Sequence, residues 1–466
     1  MIGKILHLIN MIQRSTHIII FLLITVVSCS QSITGDWKGT LQMGKTQLRI
    51  VFHIKKTDTG YKSTMDSPDQ GAKGLPVTKT EYNEPEIHLK VSSIGLSYKG
   101  KIDKGKEKIK GTLKQRGQSF DMILKKGEYP DDNEKTKQKR PQEPKKPFPY
   151  YTENVKFQNK KDSITLAGTL TMPKKKGEFP AVILISGSGP HNRNEEIMGH
   201  KPFKVIADHL TQKGIAVLRY DERGVGKSTG DRSKVTTKVL SKDAKAAFHY
   251  LQKRKAIDNK NIGFIGHSEG GVIAPMVAAE IQKTSFIVLL AGTGMPGDKI
   301  LLRQNELMMK ASGKDSAYIR KTNKKNKEAY ELAQNIDNDD SLRKALGNLY
   351  EKSINKAMQV YSRLKTHWMQ FFLKYDPKKA LKKVDCPVLA LNGEKDLQVP
   401  PENLKAIKKA LREGGNDKVT TKEFKGLNHL FQKCETGLPA EYGQIEQTIE
   451  PVVLKEIAKW INSQVQ

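Results

Sequence analysis

Apolar and polar positions divide the chain into two regimes. Between residues 34 and 126, runs such as TGDWKGTLQMG, QLRIVFHIKK, EIHLKVSSIGLSYKGKID and SFDMILKK alternate with partial period two, separated by Gly, Asp, Asn or Lys. This spacing predicts a small antiparallel sheet or barrel. The polar stretch 66–77, punctuated by Gly and Pro, is expected to be a surface loop. Beyond residue 150 the period changes. Residues 154–173 read as two edge strands joined near Asn159 and Lys160. Continuous apolar runs at 181–185, 215–220, 261–267, 285–292 and 387–391 read as buried strands, and 419–424 as a weaker one. Helical patterns at 202–213, 238–256 and 269–280 fall between them, the order of an open, mostly parallel α/β sheet. A long helical insert, about 298–380, carries Met308, Met309, Trp368, Met369, Phe371 and Phe372 among Lys and Asn. Such an insert either shapes an apolar pocket over a site or packs on itself, and the two are compatible. The last segment reads as a helix that Pro451 kinks or divides, covering the sheet with Ile449, Val453, Ile457 and Trp460.

The expected organisation is a leader over 1–28, a small β-rich domain over 29–125, a charged, Pro-rich linker over 126–149, and an α/β domain over 150–466. A chain of 466 residues has room for two such units, since single cores rarely grow beyond about 300 residues. In the leader, Lys4 and Arg14 precede the apolar run 18–27, and small Ser28 stands before Cys29. The pattern resembles a bacterial lipoprotein signal, with Met11 as an alternative start. It implies cleavage before Cys29, a fatty acyl anchor such as palmitate on that cysteine, and a protein on the membrane of the cell envelope, facing periplasm or exterior. The run is short for a comfortable membrane span of about 20 residues.

Net charge is +31, mostly from lysine. No helix-turn-helix, zinc-knuckle or aromatic-interleaved basic motif accompanies it, so no nucleic-acid partner is expected and the charge reads as a solvated surface. Three cysteines do not make a disulfide framework, and pairing of Cys386 with Cys434 is left open. No metal-ligand spacing and no cofactor motif is read.

The chemistry centres on NIGFIGHSEGGVIAPMVAAE, residues 261–280. Its Gly-x-Ser-x-Gly core has strand character before it and helix character after it. Gly266 and Gly270 let a helix pack close to a strand while Ser268 sits exposed at the apex, which makes Ser268 the candidate nucleophile. Serine needs a base, and the base needs an acid to orient it. Asp396 follows the apolar run 387–391, with Glu394 as its competitor on the same loop. His429 follows the strand 419–424, with His191 as its competitor.

Together SGSGP (186–190), RYDERGVGKS (219–228), GHSEGG (266–271), GEKDLQVP (393–400) and NHLF (428–431) resemble the α/β-hydrolases, in their serine aminopeptidase-like and carboxylesterase branch. The resemblance spans roughly 150–466. It implies an α/β-hydrolase fold with a helical cap insertion, preceded by a small all-β domain, and a Ser268–His429–Asp396 triad. It also implies an oxyanion hole built from the backbone N–H of Glu269 and of Ser188 or Gly189 within the 187–189 loop. Asp221 and Arg223 are expected to brace the 219–228 loop. Gly-Val-Gly-Lys-Ser-Thr, 224–229, imitates a phosphate-binding loop, but the glycine that motif requires falls on Asp221.

The expected function is hydrolysis of carboxylic esters through an acyl-enzyme, on small-molecule or acylated glycan substrates, without a cofactor. A serine peptidase is the alternative, with Glu269, Glu195, Glu196 or Glu306 as candidate holders of a substrate amine. A third reading is an envelope or carbohydrate-binding protein whose hydrolase half is vestigial.

Overall fold

The computed structural model describes residues 33–465 apart from 44–45, 69–71, 104, 106, 116–117, 128–138 and 352. The expected leader, Cys29 and part of the expected linker lie outside the described residues. The chain forms two compact units, 1–131 and 132–466.

The first unit is all β. Its strands are β1 Gly35–Met43, β2 Thr46–Thr57, β3 Gly60–Ser67, β4 Ala72–Val77 and β5 Lys79–Asn83. They continue with β6 Glu86–Val91, β7 Leu96–Ile102, β8 Lys108–Gln115 and β9 Gln118–Lys126. The order β4-β3-β2-β1-β9-β8-β7-β6-β5 places two sequence neighbours, β4 and β5, at opposite ends of one antiparallel sheet. Those ends meet, since the Thr80 hydroxyl on β5 donates to that of Ser63 on β3 at 3.0 Å. The interior is filled: Trp37, Leu41, Phe52, Ile54, Leu89, Tyr98, Leu113 and Leu124 are all buried. The Trp37 indole is paired with the Ile33 carbonyl and the Tyr98 hydroxyl with those of Ile109 and Met122. Half of the stretch expected as a loop, 66–77, is strand β4. Its Pro76 is tolerated because β4 is an end strand that pairs only with β3.

The second unit carries an eight-stranded sheet with order β10-β11-β13-β12-β14-β15-β16-β17. These are β10 Tyr151–Asn159, β11 Ile164–Met172, β12 Phe179–Ile185, β13 Ala216–Tyr220, β14 Ile257–His267, β15 Ile287–Leu290, β16 Val388–Gly393 and β17 Val419–Phe424. The pairs from β13 and β12 through to β17 are parallel, whereas β11 runs antiparallel to both β10 and β13. Of the two expected edge strands only β10 is an edge. Five parallel strands are buried on both faces, which explains their unbroken Val/Ile/Leu runs.

Helices α1 Pro202–Gln212, α2 Thr237–Leu251 and α3 Gly270–Ala278 follow β12, β13 and β14. The insert between β15 and β16 holds α4 Gly297–Ala311, α5 Ser316–Asn335, α6 Asp339–Leu349, α7 Ile354–Leu364, α8 His367–Lys374 and α9 Lys378–Leu381. After β16 come α10 Glu402–Glu413 and, after β17, α11 Pro451–Gln464. Residues of α2, α3 and α10 pack on one face of the sheet, and residues of α1 and α11 on the other. Pro451 opens α11 rather than kinking it, because the first helical position has no use for an N–H. The cap has a core of its own around Tyr330, Leu346, Tyr361 and Leu364. A second apolar cluster joins Ile300 and Phe372 of the cap to Val399, with Met295 and Trp368 against it. The insert therefore packs on itself, as one reading expects, and also reaches Val399 through its second cluster.

The proline-rich stretch ends against this unit. Arg140 donates to the carbonyls of Ile445, Met198 and Gly443, and Glu143 pairs with Lys201 and Lys204. Cys386 and Cys434 are free thiols, and burial pushes that of Cys386 up to about 12.

Candidate active site

The turn from β14 into α3 is built by its glycines. A methyl group on Gly266 would lie 2.0 Å from the Gly270 carbonyl oxygen, and one on Gly270 would lie 2.0 Å from that of Ile185. No residue larger than glycine permits this approach of strand and helix. Ser268 between them has φ +53°, a left-handed conformation that L residues with side chains seldom adopt. Its N–H is bonded to the Leu290 carbonyl of β15 at 2.9 Å, which holds the strained residue in place.

His429 and Asp396 are brought together. His429 Nδ1 lies 2.8 Å from Asp396 Oδ2, and the pair is 4% and 1% exposed. The other oxygen, Oδ1, accepts from the N–H groups of Gln398 and Val399 at 2.8 and 2.9 Å, so the carboxylate has no freedom to rotate. Asn428 fixes the histidine loop by accepting from the Leu430 and Gln432 N–H groups. His267, the neighbour of Ser268, has its ring 4.8 Å from that of His429 and tilted to it by 46°. The competitors are engaged elsewhere. Glu394 accepts from the Gly426 N–H, and His191 Nε2 lies 3.1 Å from the Ser188 carbonyl on an exposed loop.

The loop after β12 approaches Ser268 closely, since a methyl group on Gly187 would lie 3.2 Å from Ser268 Cβ. The Gly187 N–H is already bonded to Glu195 Oε1 at 2.7 Å. That leaves the amides of Ser188 and Gly189 as the donors this loop has to offer. Arg232 donates to the Gly189 carbonyl at 2.9 Å and to Glu222 Oε2 at 2.7 Å, tying the end of this loop to the one after β13. Glu269 stands at the start of α3, where the first amides of a helix have no intrahelical acceptor.

Two buried carboxyls flank this loop. Glu269 Oε1 accepts from the Thr237 hydroxyl at 2.6 Å and the Trp368 indole at 2.7 Å, while Oε2 is buried without a partner among the described residues. Desolvation raises its pKa to about 7, with the nearby Glu222 adding to the shift. Glu222, bonded to Ser186 and Arg232, is likewise raised to about 7 by desolvation.

The 219–228 loop is braced as expected. Asp221 forms a two-pronged pair with Arg193 at 2.7 and 3.0 Å, and Arg223 one with Asp243 at 2.7 Å for both bonds. The Ser228 hydroxyl, part of the imitation phosphate loop, is spent on the Asp221 carbonyl and the Ala167 N–H.

Sequence reasoning did not find Glu222, Arg232 or the Trp368–Glu269 bond, and it saw Glu195 only as a potential amine holder. His267 was legible as the residue before the serine, but its partner lies 72 residues away. The structure thus holds Ser268 on a strained turn next to His267, whose ring lies against His429, and orients the His429 imidazole on the Asp396 carboxylate.

Comparison with known proteins agrees in class. Residues 162–425 match the family described as X-Pro dipeptidyl-peptidase (S15 family). The chain is 28% identical over 319 residues to Esterase EstD of Thermotoga maritima, covering 67% of this chain and 70% of that protein. It is 26% identical over 263 residues to an uncharacterised 31.7 kDa protein from the traX-finO intergenic region of Escherichia coli, covering 56% of this chain and 87% of that one. Among solved structures, Est1E from Butyrivibrio proteoclasticus with ferulic acid bound aligns at 18% identity and a TM-score of 0.41, over 67% of this chain and 99% of that one.

Proposed function

Because the chain belongs to the X-Pro dipeptidyl-peptidase (S15) family, a family of serine hydrolases of the α/β-hydrolase superfamily, we propose that Ser268, His429 and Asp396 hydrolyse carboxylic esters through an acyl-enzyme. The observation that carries this reading is the 2.8 Å bond of His429 to Asp396 together with the left-handed Ser268 turn, whose preceding residue His267 lies against His429.

With Nδ1–H given to Asp396, His429 keeps Nε2 to take the Ser268 proton as Oγ attacks the ester carbonyl. The negative oxygen that forms takes hydrogen bonds from the amide of Glu269 and that of Ser188 or Gly189. Collapse breaks the ester C–O bond, and His429 returns the proton to the departing alcohol. Water then attacks the acyl group by the same steps and frees Ser268.

The ester reading draws on the esterase name of the Thermotoga relative and on the engaged state of the carboxylates a peptidase would need. Glu195 is bonded to Gly187 and His267, Glu196 to Asn192, and Glu306 to Arg303. The family's own peptidase description favours amide cleavage as the second reading. The unpartnered oxygen of Glu269 is the group it would rest on.

Turnover of p-nitrophenyl esters of graded acyl length, set beside aminoacyl p-nitroanilides, separates the two. Ester hydrolysis that disappears in Ser268→Ala is the expected result. Hydrolysis of the anilides alone moves the assignment to a peptidase, and full activity in Ser268→Ala overturns the triad. Lipidation at Cys29 and an envelope location belong to the same proposal, supported by the Lys4–Arg14–apolar–Cys29 pattern. Mass spectrometry of the mature N-terminus tests them.

A further inference from the structure

We infer that Glu195 and His267 form a buried ion pair that positions the nucleophile, the oxyanion loop and His429 relative to one another, with His267 held as an imidazolium. The inference rests on the triad reading above for its catalytic consequence, but its charge state is independent of turnover.

The geometry is restrictive. His267 Nδ1 lies 2.9 Å from Glu195 Oε1, and His267 Nε2 lies 3.1 Å from the His429 carbonyl oxygen. A carbonyl oxygen only accepts, and so does an ionised carboxylate, so both ring nitrogens must donate and the ring must carry two protons. Glu195 Oε1 also accepts the Gly187 N–H at 2.7 Å, which makes it an acceptor from both sides. The pair is enclosed, with 3% of Glu195 and 7% of His267 exposed. Burial opposes both charges. The pairing outweighs it, and the Glu195 carboxyl is held below its ordinary range while the His267 imidazole is raised. The other titratable groups that act on the pair are His191, on Glu195, and Asp396, on His267. Glu195 itself has φ +50°, a strained backbone held at the point where its carboxylate meets both partners.

Three consequences follow for the reaction. The bond to Gly187 fixes the loop that approaches Ser268. The bond from Nε2 fixes the main chain of His429, whose side chain is already fixed by Asp396. His267, the residue preceding Ser268, makes the second bond itself and reaches the first through Glu195, so the pair links the spacing of all three parts. Glu195 and His267 touch no reacting atom in this scheme and are positioning residues.

The test has two arms. In histidine-labelled full-chain protein, 15N spectra of His267, assigned by its loss in His267→Gln, are expected to show both ring nitrogens protonated at pH 7. A neutral tautomer there overturns the ion pair. Glu195→Gln keeps an oxygen for Gly187 but removes the charge, and is expected to convert His267 to the neutral form. It is expected to lower kcat about tenfold with KM changed less than about twofold. Unchanged kcat with a neutral His267 overturns the positioning role. If Glu195→Gln does not fold, Glu195→Asp and the wild-type spectrum still decide the charge state. Failure of the triad itself reads out separately, as activity surviving in Ser268→Ala.

Discussion

The Trp368 indole donates a 2.7 Å hydrogen bond to Glu269, so the cap is tied to the residue that follows Ser268. The same ring stacks on Phe372 at 4.9 Å, within the cluster that reaches Val399 beside the acid loop. One cap side chain therefore joins the residue after Ser268 to the apolar cluster that includes Val399. Trp368→Phe retains the stacking and removes the donor. It is expected to cost about 1–2 kcal/mol of stability in urea unfolding. It should also raise KM for esters more than it lowers kcat, since the wall moves while the nucleophile does not.

Glu269 and Glu222 give stability a pH slope of known sign. Each is raised from 4.5 to about 7, so between those values the native state holds protons that the unfolded chain has released. Stability then falls as pH rises through this window and levels off above it. Glu269→Gln is expected to flatten the slope and to stabilise the protein at pH 8 by up to about 3 kcal/mol, at 1.36 kcal/mol per pKa unit. Denaturant melts of both proteins at pH 5 and pH 8 measure the difference.

Asp396→Asn keeps an oxygen for the Gln398 and Val399 amides but turns an N–H donor toward His429 Nδ1. The imidazole is then held in the wrong tautomer. The expected result is a fall in kcat of about 10⁴-fold with little change in melting temperature, measured on the best ester of the series.

Arg223 is the hub of a buried network, joining Asp243 and Asp162 while Asn159 donates to Asp243. Asp243 is 1% exposed, so Arg223→Ala leaves a buried carboxylate without its cation. A loss of about 3–5 kcal/mol is expected in equilibrium unfolding.

Gly270→Ala is expected to abolish soluble folded protein or to cost more than about 3 kcal/mol, because the added methyl group would meet the Ile185 carbonyl at 2.0 Å. Circular dichroism and gel filtration of the variant check this.

Much of this protein was legible in its sequence because the relevant signals are local. The alternation of β-strands, the unbroken apolar runs of parallel strands and the strand–Gly-x-Ser-x-Gly–helix turn all arise from residues within a few positions of one another. The expected pairing of Asp396 with His429 rests on their places just past the ends of two strands, one apolar and one weaker. Tertiary structure alone decided that the ends of the first sheet meet at Thr80 and Ser63 and that β11 is an inner strand. It alone decided that Glu195 takes the Gly187 amide and His267, and that Trp368 reaches Glu269. Local periodicity reports which face of an element is buried. It carries no information on which residue, 72 or 99 positions away, the fold will set against it.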